Sequence, residues 1–207
     1  MTAVVRRIGL VGFDGKEDSQ VWEDFKAGDD KALVYIFKQY YQVLFKYGIK
    51  VCQNKDLIKD CIQDIFTELW DNRENVKPVQ YIRAYLLKFF RRQLLSKLLL
   101  EKKNTDLELQ EVSAFGVEIS FESVLIKEQI SSETRDRVVR ACQQLSKRQQ
   151  EVIYLRFYND LTYEQIADIM DLRYQSVRNL LHEAMKVLRK DSTLSLPLLL
   201  FLLVNLA

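Results

Sequence analysis

Apolar residues recur at intervals of three and four along most of this 207-residue chain, the spacing of amphipathic helices. One stripe follows Asp29-Asp30, a pair suited to capping a helix, and covers residues 33–47. A second covers 55 to about 70. A third is predicted to open at Pro78, since proline suits the first turn of a helix, and to reach about residue 100. We expect these three helices to share one core.

A second helical block is predicted from about residue 124 to residue 190, and its last thirty residues hold two amphipathic stripes separated by a tight turn. Thr162 is placed to cap the first helix of the pair. Asp171 stands in the turn, where it tolerates left-handed backbone angles better than most residues. Two such helices form the helix-turn-helix arrangement, whose second helix enters the DNA major groove.

The second helix of this pair carries polar residues opposite its apolar stripe, which consists of Val177, Leu181, Ala184 and Leu188. Amides and cations on such a face can contact base edges and phosphates. The candidate DNA-binding set is Arg173, Gln175, Ser176, Arg178, Asn179, His182 and Lys186. From the pattern alone, a plain helical hairpin with a solvated polar face is the alternative.

The composition supports a helical protein without catalytic chemistry. Six Gly and two Pro are too few for many tight turns, which favours an all-α fold. The three cysteines have neither zinc-site spacing nor the even count of a secreted disulfide scaffold, which indicates a reducing compartment. One histidine, His182, and no Gly-rich phosphate loop leave little for catalysis. We expect no enzyme activity, no cofactor and no metal site.

Charge is distributed in blocks, although the net charge is only +2. Residues 55–74 hold three basic and six acidic side chains, whereas 77–103 hold eight basic side chains and one acidic one. Residues 104–122 then carry five acidic side chains, no basic one and no helical period, as a linker would. Such blocks suggest surfaces for different partners.

Three stretches, taken in order, carry a family resemblance. They are NKDLIKDCIQDIFTELWDNRE, YIRAYLLKFFRRQLLSKL and LSKRQQEVIYLRFYNDLTYEQIADIMDLRYQSVRNLLHEAMKVLR. They resemble regions 2.2, 2.3 to 2.4 and 4 of the bacterial sigma-70 family, specifically its short extracytoplasmic-function type. The resemblance implies two helical domains joined by an acidic flexible linker. The expected division is an N-terminal arm (1–19), region 2 (20–103), the linker (104–122), region 4 (123–190) and a hydrophobic tail (191–207).

The resemblance also implies the partners. Region 2 of the family docks on the clamp helices of the beta-prime subunit of core RNA polymerase, and region 4 holds the beta flap tip and promoter DNA at the -35 element. An anti-sigma factor or other recruiting protein is a further expected partner. The polymerase contact carries over to Asp60, Gln63, Asp64 and Glu68, whose carboxylates share one helix face. Without the family match, ordinary solvation would be the preferred explanation of that face.

The third helix is expected to meet the melted -10 element. A single-stranded backbone with an unstacked base requires an aromatic ring beside cations. The candidate residues are Lys77, in the loop before the helix, and Tyr81, Lys88, Arg91 and Arg92. The aromatic residues Tyr85, Phe89 and Phe90 could also be melting residues, although the spacing of Phe89 from Ile82 and Leu86 favours a core position for it.

Two features depart from the family pattern. Leu180 and Glu183 stand where the family often has basic residues, so an altered -35 contact is expected; a glutamate can accept from cytosine N4. The tail residues 194–207 are strongly apolar, but they are too few to span a bilayer, so no stable membrane insertion is expected. We expect the tail to pack on the chain itself, ahead of docking on a partner.

The sequence therefore predicts a cytoplasmic sigma factor that binds core polymerase and directs promoter recognition, melting and initiation. Two alternatives are a helix-turn-helix regulator that binds DNA without polymerase, and a polymerase-recruiting adaptor that does not melt promoters.

Overall fold

The computed structural model describes Phe13, residues 15–103 and residues 140–191. Regular structure in these ranges is helical, which confirms the predicted all-α fold. The chain divides into two compact units, Met1–Leu109 and Gln110–Ala207. Several predicted segments lie outside the described residues: most of the N-terminal arm, the acidic linker, the start of the second helical block and the tail after residue 191. The predicted domain boundaries stay predictions.

Four helices build the first unit: α1 (Asp18–Lys26), α2 (Asp30–Val51), α3 (Lys55–Asp71) and α4 (Ile82–Lys103). The predicted cap of α2 is confirmed, because the Asp29 side chain accepts a hydrogen bond from the Lys31 amide. Helix α2 packs against the other three helices, and α3 and α4 pack against each other. The fully buried side chains of this core include Trp22, Phe25, Ile36, Leu44, Tyr47, Ile58, Ile62, Ile65, Leu69, Ile82 and Phe90.

Helix α1 is not among the helices predicted from the sequence pattern. It has only nine residues, three of which are buried, and this is too short a run to reveal a period. The chain just before it is also packed: Phe13 is buried, and its ring centroid lies 5.4 Å from that of Tyr35 on α2. The end of the predicted arm is therefore part of the first unit.

The prediction that Pro78 opens the third helix is wrong. Residues 77–81 are not helical, and α4 begins at Ile82. The Ile82 amide donates a 2.8 Å hydrogen bond to Asp18 of α1. A helix begins where its first amides find acceptors, and here the acceptor comes from a distant part of the chain.

Phe90, rather than the predicted Phe89, occupies the core position on α4. Phe90 is fully buried, whereas Phe89 is half-buried. Phe90 lies where three helices meet: a Cβ added to Gly48 of α2 would come within 2.8 Å of Ile58 on α3 and 3.1 Å of the Phe90 ring. Glycine at position 48 is thus required for this close approach.

The second unit contains a helical segment at 140–143, α5 (Lys147–Ile153), a π-helical turn (Tyr154–Tyr158), α6 (Tyr163–Met170) and α7 (Tyr174–Asp191). Capping boxes begin two of these helices. Ser146 and Gln149 exchange hydrogen bonds at the start of α5, and Thr162 and Gln165 do so at the start of α6. The predicted cap at Thr162 is confirmed.

A single residue in a left-handed conformation turns the chain between α6 and α7. Asp171 has φ 54° and ψ 51°, as predicted for this position. Helix α7 packs against both α5 and α6. Its buried stripe is the predicted one: Val177, Leu181, Ala184 and Leu188. The two helices therefore form a helix-turn-helix with one buried side.

Candidate polymerase and nucleic-acid interfaces

The four candidate polymerase-binding residues lie together on the exposed side of α3. We call Asp60, Gln63, Asp64 and Glu68 the acidic face. They face solvent because the opposite side of α3 is buried, with Cys61, Ile62 and Ile65 fully inside the core. The arrangement leaves three carboxylates in one row, available to a basic partner.

One carboxylate of the acidic face already has an intramolecular partner. The Asp64 carboxylate accepts a 2.6 Å hydrogen bond from the Lys97 ammonium on α4, forming a salt bridge. This hydrogen bond raises the pKa of Lys97 above its usual value. A positively charged partner must therefore share Asp64 with Lys97 or displace it.

An apolar groove of about 550 Å³, which was not predicted from the sequence, borders the acidic face between α2 and α3. The groove includes Gln63, and the 38% exposed Phe37 stands in its wall. The Phe37 ring packs edge to face on Phe66 of α3, with centroids 5.0 Å apart. In the sequence, this groove was indicated by aromatic residues on α2 that extend beyond the stripe needed to cover the core.

Residues 72–81 connect α3 to α4 and carry two of the candidate -10 residues. The loop is fastened at its start, where the Asn72 amide group donates to the Glu68 carbonyl (3.0 Å) and Arg73 donates to the Trp70 carbonyl (2.7 Å). Lys77 and Tyr81 lie at its other end and are exposed, Tyr81 to 60%. Tyr81 was predicted to lie on the helix, but this residue immediately precedes α4.

Helix α4 presents cations next to aromatic rings. Lys88 and Arg92 are exposed, whereas Arg91 is half-buried. The Arg92 guanidinium lies 5.6 Å from the centroid of Phe89, and the Phe89 ring contacts Tyr85 edge to face. The predicted combination of an aromatic surface with positive charge thus includes Phe89 and Tyr85.

Helix α7 exposes nearly all of the candidate -35 residues. Gln175, Arg178, Asn179, His182 and Lys186 face solvent; Arg173 is exposed in the turn, and Ser176 is half-buried. The Gln175 side chain donates a 3.0 Å hydrogen bond to the Asn179 side-chain oxygen, which orients two amides along the exposed face. Glu183 is exposed on the same helix, while Leu180 is half-buried.

The middle of α7 borders a cavity of about 370 Å³. Its lining is largely cationic and aromatic: Tyr163, Arg178, Leu181, His182, Met185, Lys186 and Arg189. This surface suits an anionic backbone lying against α7.

Within the described ranges, no group of three or more His, Cys, Asp or Glu side chains could hold a metal ion. No helix within the same ranges is both long enough and apolar enough to cross a membrane.

Comparison with known proteins agrees with this arrangement. Residues 135–188 match the family model for sigma-70 region 4. The RNA polymerase sigma factor YlaC of Bacillus subtilis (strain 168) is 24% identical over 168 residues, covering 77% of this chain and 91% of that protein.

A solved structure supports the fold. It is a co-crystal structure of the sigma factor RpoE with the anti-sigma factor NepR from Bartonella quintana. The match has a TM-score of 0.52 at 17% identity and covers 81% of this chain and 96% of that chain. The region 4 match, which spans the helix-turn-helix, and the sigma factor relative that extends across both units lead to one conclusion. The chain is similar to RNA polymerase sigma factors, and its residues 135–188 match region 4 of the sigma-70 family.

Proposed function

We propose that this sigma factor binds core RNA polymerase through α3, captures the melted -10 element with α4 and its preceding loop, and contacts the -35 element through α7. It thereby directs promoter recognition, promoter melting and transcription initiation. One observation supports the proposal most strongly. The residues that match region 4 contain the helix-turn-helix whose second helix exposes Arg178, Asn179 and His182 opposite a buried stripe.

The acidic face and the neighbouring apolar groove favour a protein partner on α3. Charge complementarity steers association and fixes register, while aromatic side chains in a groove provide the area that a partner helix can bury. Both are present within one surface of the first unit. The clamp helices of the beta-prime subunit are the proposed occupant, and the beta flap tip is the proposed partner of the second unit.

The loop and α4 favour an unpaired strand rather than a duplex. Tyr81 offers a stacking ring, and Lys77, Lys88 and Arg92 offer charges for the phosphates. Arg91 is half-buried, so we assign it a smaller share of the contact than the exposed cations. Capture of bases in this way stabilises the open strand and so promotes melting.

Helix α7 favours the major groove of a duplex. Arginine and asparagine read guanine and adenine edges by paired hydrogen bonds, while lysine and histidine hold phosphates. Glu183 adds an acceptor that can select cytosine, so the preferred -35 sequence is expected to differ from one read by basic residues alone.

Regulation and location follow from this role. A sigma factor must meet polymerase and chromosome, so we propose a cytoplasmic location. An anti-sigma factor or other recruiting protein is a further proposed partner, since the structural relative was crystallised with one. The family is not enzymatic, and we assign no chemical step to this chain.

Reconstituted transcription tests the proposal. Core polymerase from the source bacterium is incubated with genomic fragments, with and without this protein, and the transcripts are sequenced to locate start sites. Permanganate footprinting then maps unpaired thymines around those sites. The expected result is specific starts, with reactive thymines only when this protein is present. Binding to duplex DNA in the absence of polymerase would indicate a free-standing regulator; polymerase binding without reactive thymines would indicate an adaptor.

A further inference from the structure

Helix α1 is bonded to the loop before α4 through the side chain of Trp22. Its indole N–H donates a 2.9 Å hydrogen bond to the carbonyl oxygen of Lys77, 55 residues further along the chain. The Trp22 ring is fully buried and packs on Phe25 and Tyr85, with centroid distances of 5.1 Å and 5.0 Å. The backbone of Lys77 is therefore attached to the core while its side chain stays exposed.

A second residue of α1 fixes the point at which α4 begins. One carboxylate oxygen of Asp18 accepts from the Ile82 amide (2.8 Å), and the other accepts from the Tyr40 hydroxyl (3.0 Å). Burial, together with the Asp18 charge, raises the pKa of Tyr40, so the tyrosine remains a donor at neutral pH. A carboxylate at a helix N-terminus also interacts favourably with the helix dipole.

These bonds hold the two exposed residues that flank the end of the loop. Trp22 fixes the backbone at Lys77, and Asp18 fixes it directly after Tyr81. The start of the loop is held separately by its bonds to the end of α3. A binding loop that is already ordered loses less conformational freedom when its ligand arrives.

We propose that Trp22 and Asp18 are positioning residues for capture of the unpaired -10 strand. They touch no DNA. They hold Lys77 and Tyr81 in the arrangement that meets one extruded base and its phosphate. This inference rests on the proposed function and assigns a role to α1 that the sequence pattern did not indicate.

The alternative is that both residues serve the core alone. Trp22→Phe separates the two roles, because phenylalanine keeps an aromatic ring in the core but has no N–H to donate. Phe25→Leu is the matched control: it reduces packing beside Trp22 but leaves the indole N–H that donates to Lys77. For Asp18, Asp18→Ala removes the acceptor of the Ile82 amide, whereas Asp18→Asn keeps an oxygen that can accept.

The experiment measures strand capture by the full chain in complex with core polymerase. The probe is a fluorescent single-stranded oligonucleotide carrying the non-template -10 sequence of a mapped promoter, and thermal unfolding is recorded for each variant. Trp22→Phe and Asp18→Ala are expected to weaken capture about three- to tenfold, the effect of one hydrogen bond, with polymerase affinity unchanged. Asp18→Asn is expected to restore most of the loss, and Phe25→Leu to lower thermal stability without affecting capture.

A second oligonucleotide, which lacks one base, completes a thermodynamic cycle. The base removed is the one whose removal most changes the loss of affinity caused by Lys77→Ala. If the loop positions a base-binding site, the difference in affinity between wild type and Trp22→Phe should be smaller for the abasic strand than for the intact strand. Equal capture of the intact strand by wild type and Trp22→Phe overturns the inference, as does a loss that merely follows thermal stability across all variants. Either result would contradict this inference without contradicting the proposed function. The proposed function is contradicted if the wild-type protein opens no promoter.

Discussion

The Asp64 carboxylate and the Lys97 ammonium lie 2.6 Å apart and join the exposed side of α3 to α4. Asp64 is also one of the residues proposed to bind polymerase. Both side chains are partly exposed, and such pairs contribute about 0–1 kcal/mol to folding. The pair is therefore weak enough for a partner cation to displace Lys97 at little cost, as the proposed polymerase contact requires.

Charge reversal on the acidic face should weaken polymerase binding. We expect Asp60→Lys and Asp64→Lys each to lower the affinity for core polymerase by about tenfold or more. The reason is that the coupling energy between two close opposite charges across an interface is about 1.5 kcal/mol or more. Fluorescence anisotropy of labelled protein titrated with core enzyme measures this. Glu23→Lys, which makes the same charge change on α1, is the control and should bind normally.

Removing Lys97, the intramolecular partner of Asp64, should have the opposite effect on polymerase binding. Lys97→Met frees Asp64 without changing the acidic face, so affinity for core polymerase should be unchanged or tighter. The midpoint of unfolding should move little. Weaker binding by Lys97→Met would show that the pair, rather than the free carboxylate, forms the contact.

The helical pattern was sufficient to predict α2, α3 and the helix-turn-helix, because each buries a regular stripe of apolar side chains. It could not predict where α4 begins, since the Asp18 acceptor is 64 residues away from Ile82. It also assigned Phe89 rather than Phe90 to the core, because both follow Leu86 at helical spacing, by three and by four residues; the burial of Leu94, four residues further on, continues the Phe90 side. The groove beside Gln63 is formed by two packed helices, so the aromatic residues of α2 beyond its buried stripe could indicate it but not place it.

Cations on α4 should affect promoter opening rather than polymerase binding. Lys88→Ala with Arg92→Ala removes two exposed charges, and we expect a clear reduction in permanganate-reactive thymines at unchanged affinity for core polymerase. The double variant Arg91→Ala with Arg92→Ala should behave similarly, with an added cost in stability because Arg91 is half-buried. Normal opening by both double variants contradicts the assignment of α4 to the -10 strand.

Substitutions of Arg178 and Lys186 on α7 should affect DNA binding in different ways. Arg178→Ala should cost about 1–3 kcal/mol at the preferred -35 sequence and reduce discrimination there. Lys186→Ala should weaken binding to all sequences alike and lower the slope of log affinity against log salt by about one. Quantitative promoter binding at several salt concentrations, with a scrambled -35 duplex for comparison, checks both. Equal loss on both duplexes for Arg178→Ala contradicts its role in base recognition.

The cysteines should react with thiol reagents in a fixed order. Burial raises the pKa of Cys61 and of Cys142 to about 11, so at pH 8 only about one thiol in a thousand is the reactive thiolate. Cys52 is half-buried, and burial followed by the Glu101 charge raises the pKa of its thiol, while its contact with the Asn54 backbone acts in the opposite direction. We expect one thiol to react readily with Ellman's reagent in the native protein, three after unfolding, and none readily in Cys52→Ser. The native rates of the two buried thiols should rise as pH approaches 11.

The left-handed residue in the helix-turn-helix should tolerate only certain replacements. Asp171→Ala should cost about 1 kcal/mol, because alanine keeps the Cβ that crowds the following carbonyl at φ 54° but lacks the short polar side chain that makes this conformation tolerable for Asp and Asn; Asp171→Gly and Asp171→Asn should cost a few tenths or less. Both tryptophans, Trp22 and Trp70, lie in the first unit, so their fluorescence in a urea titration reports only that unit. The expected result for Asp171→Ala is an unchanged fluorescence transition together with an earlier loss of helical circular dichroism. A fluorescence transition that shifts equally would mean that the two units unfold as one.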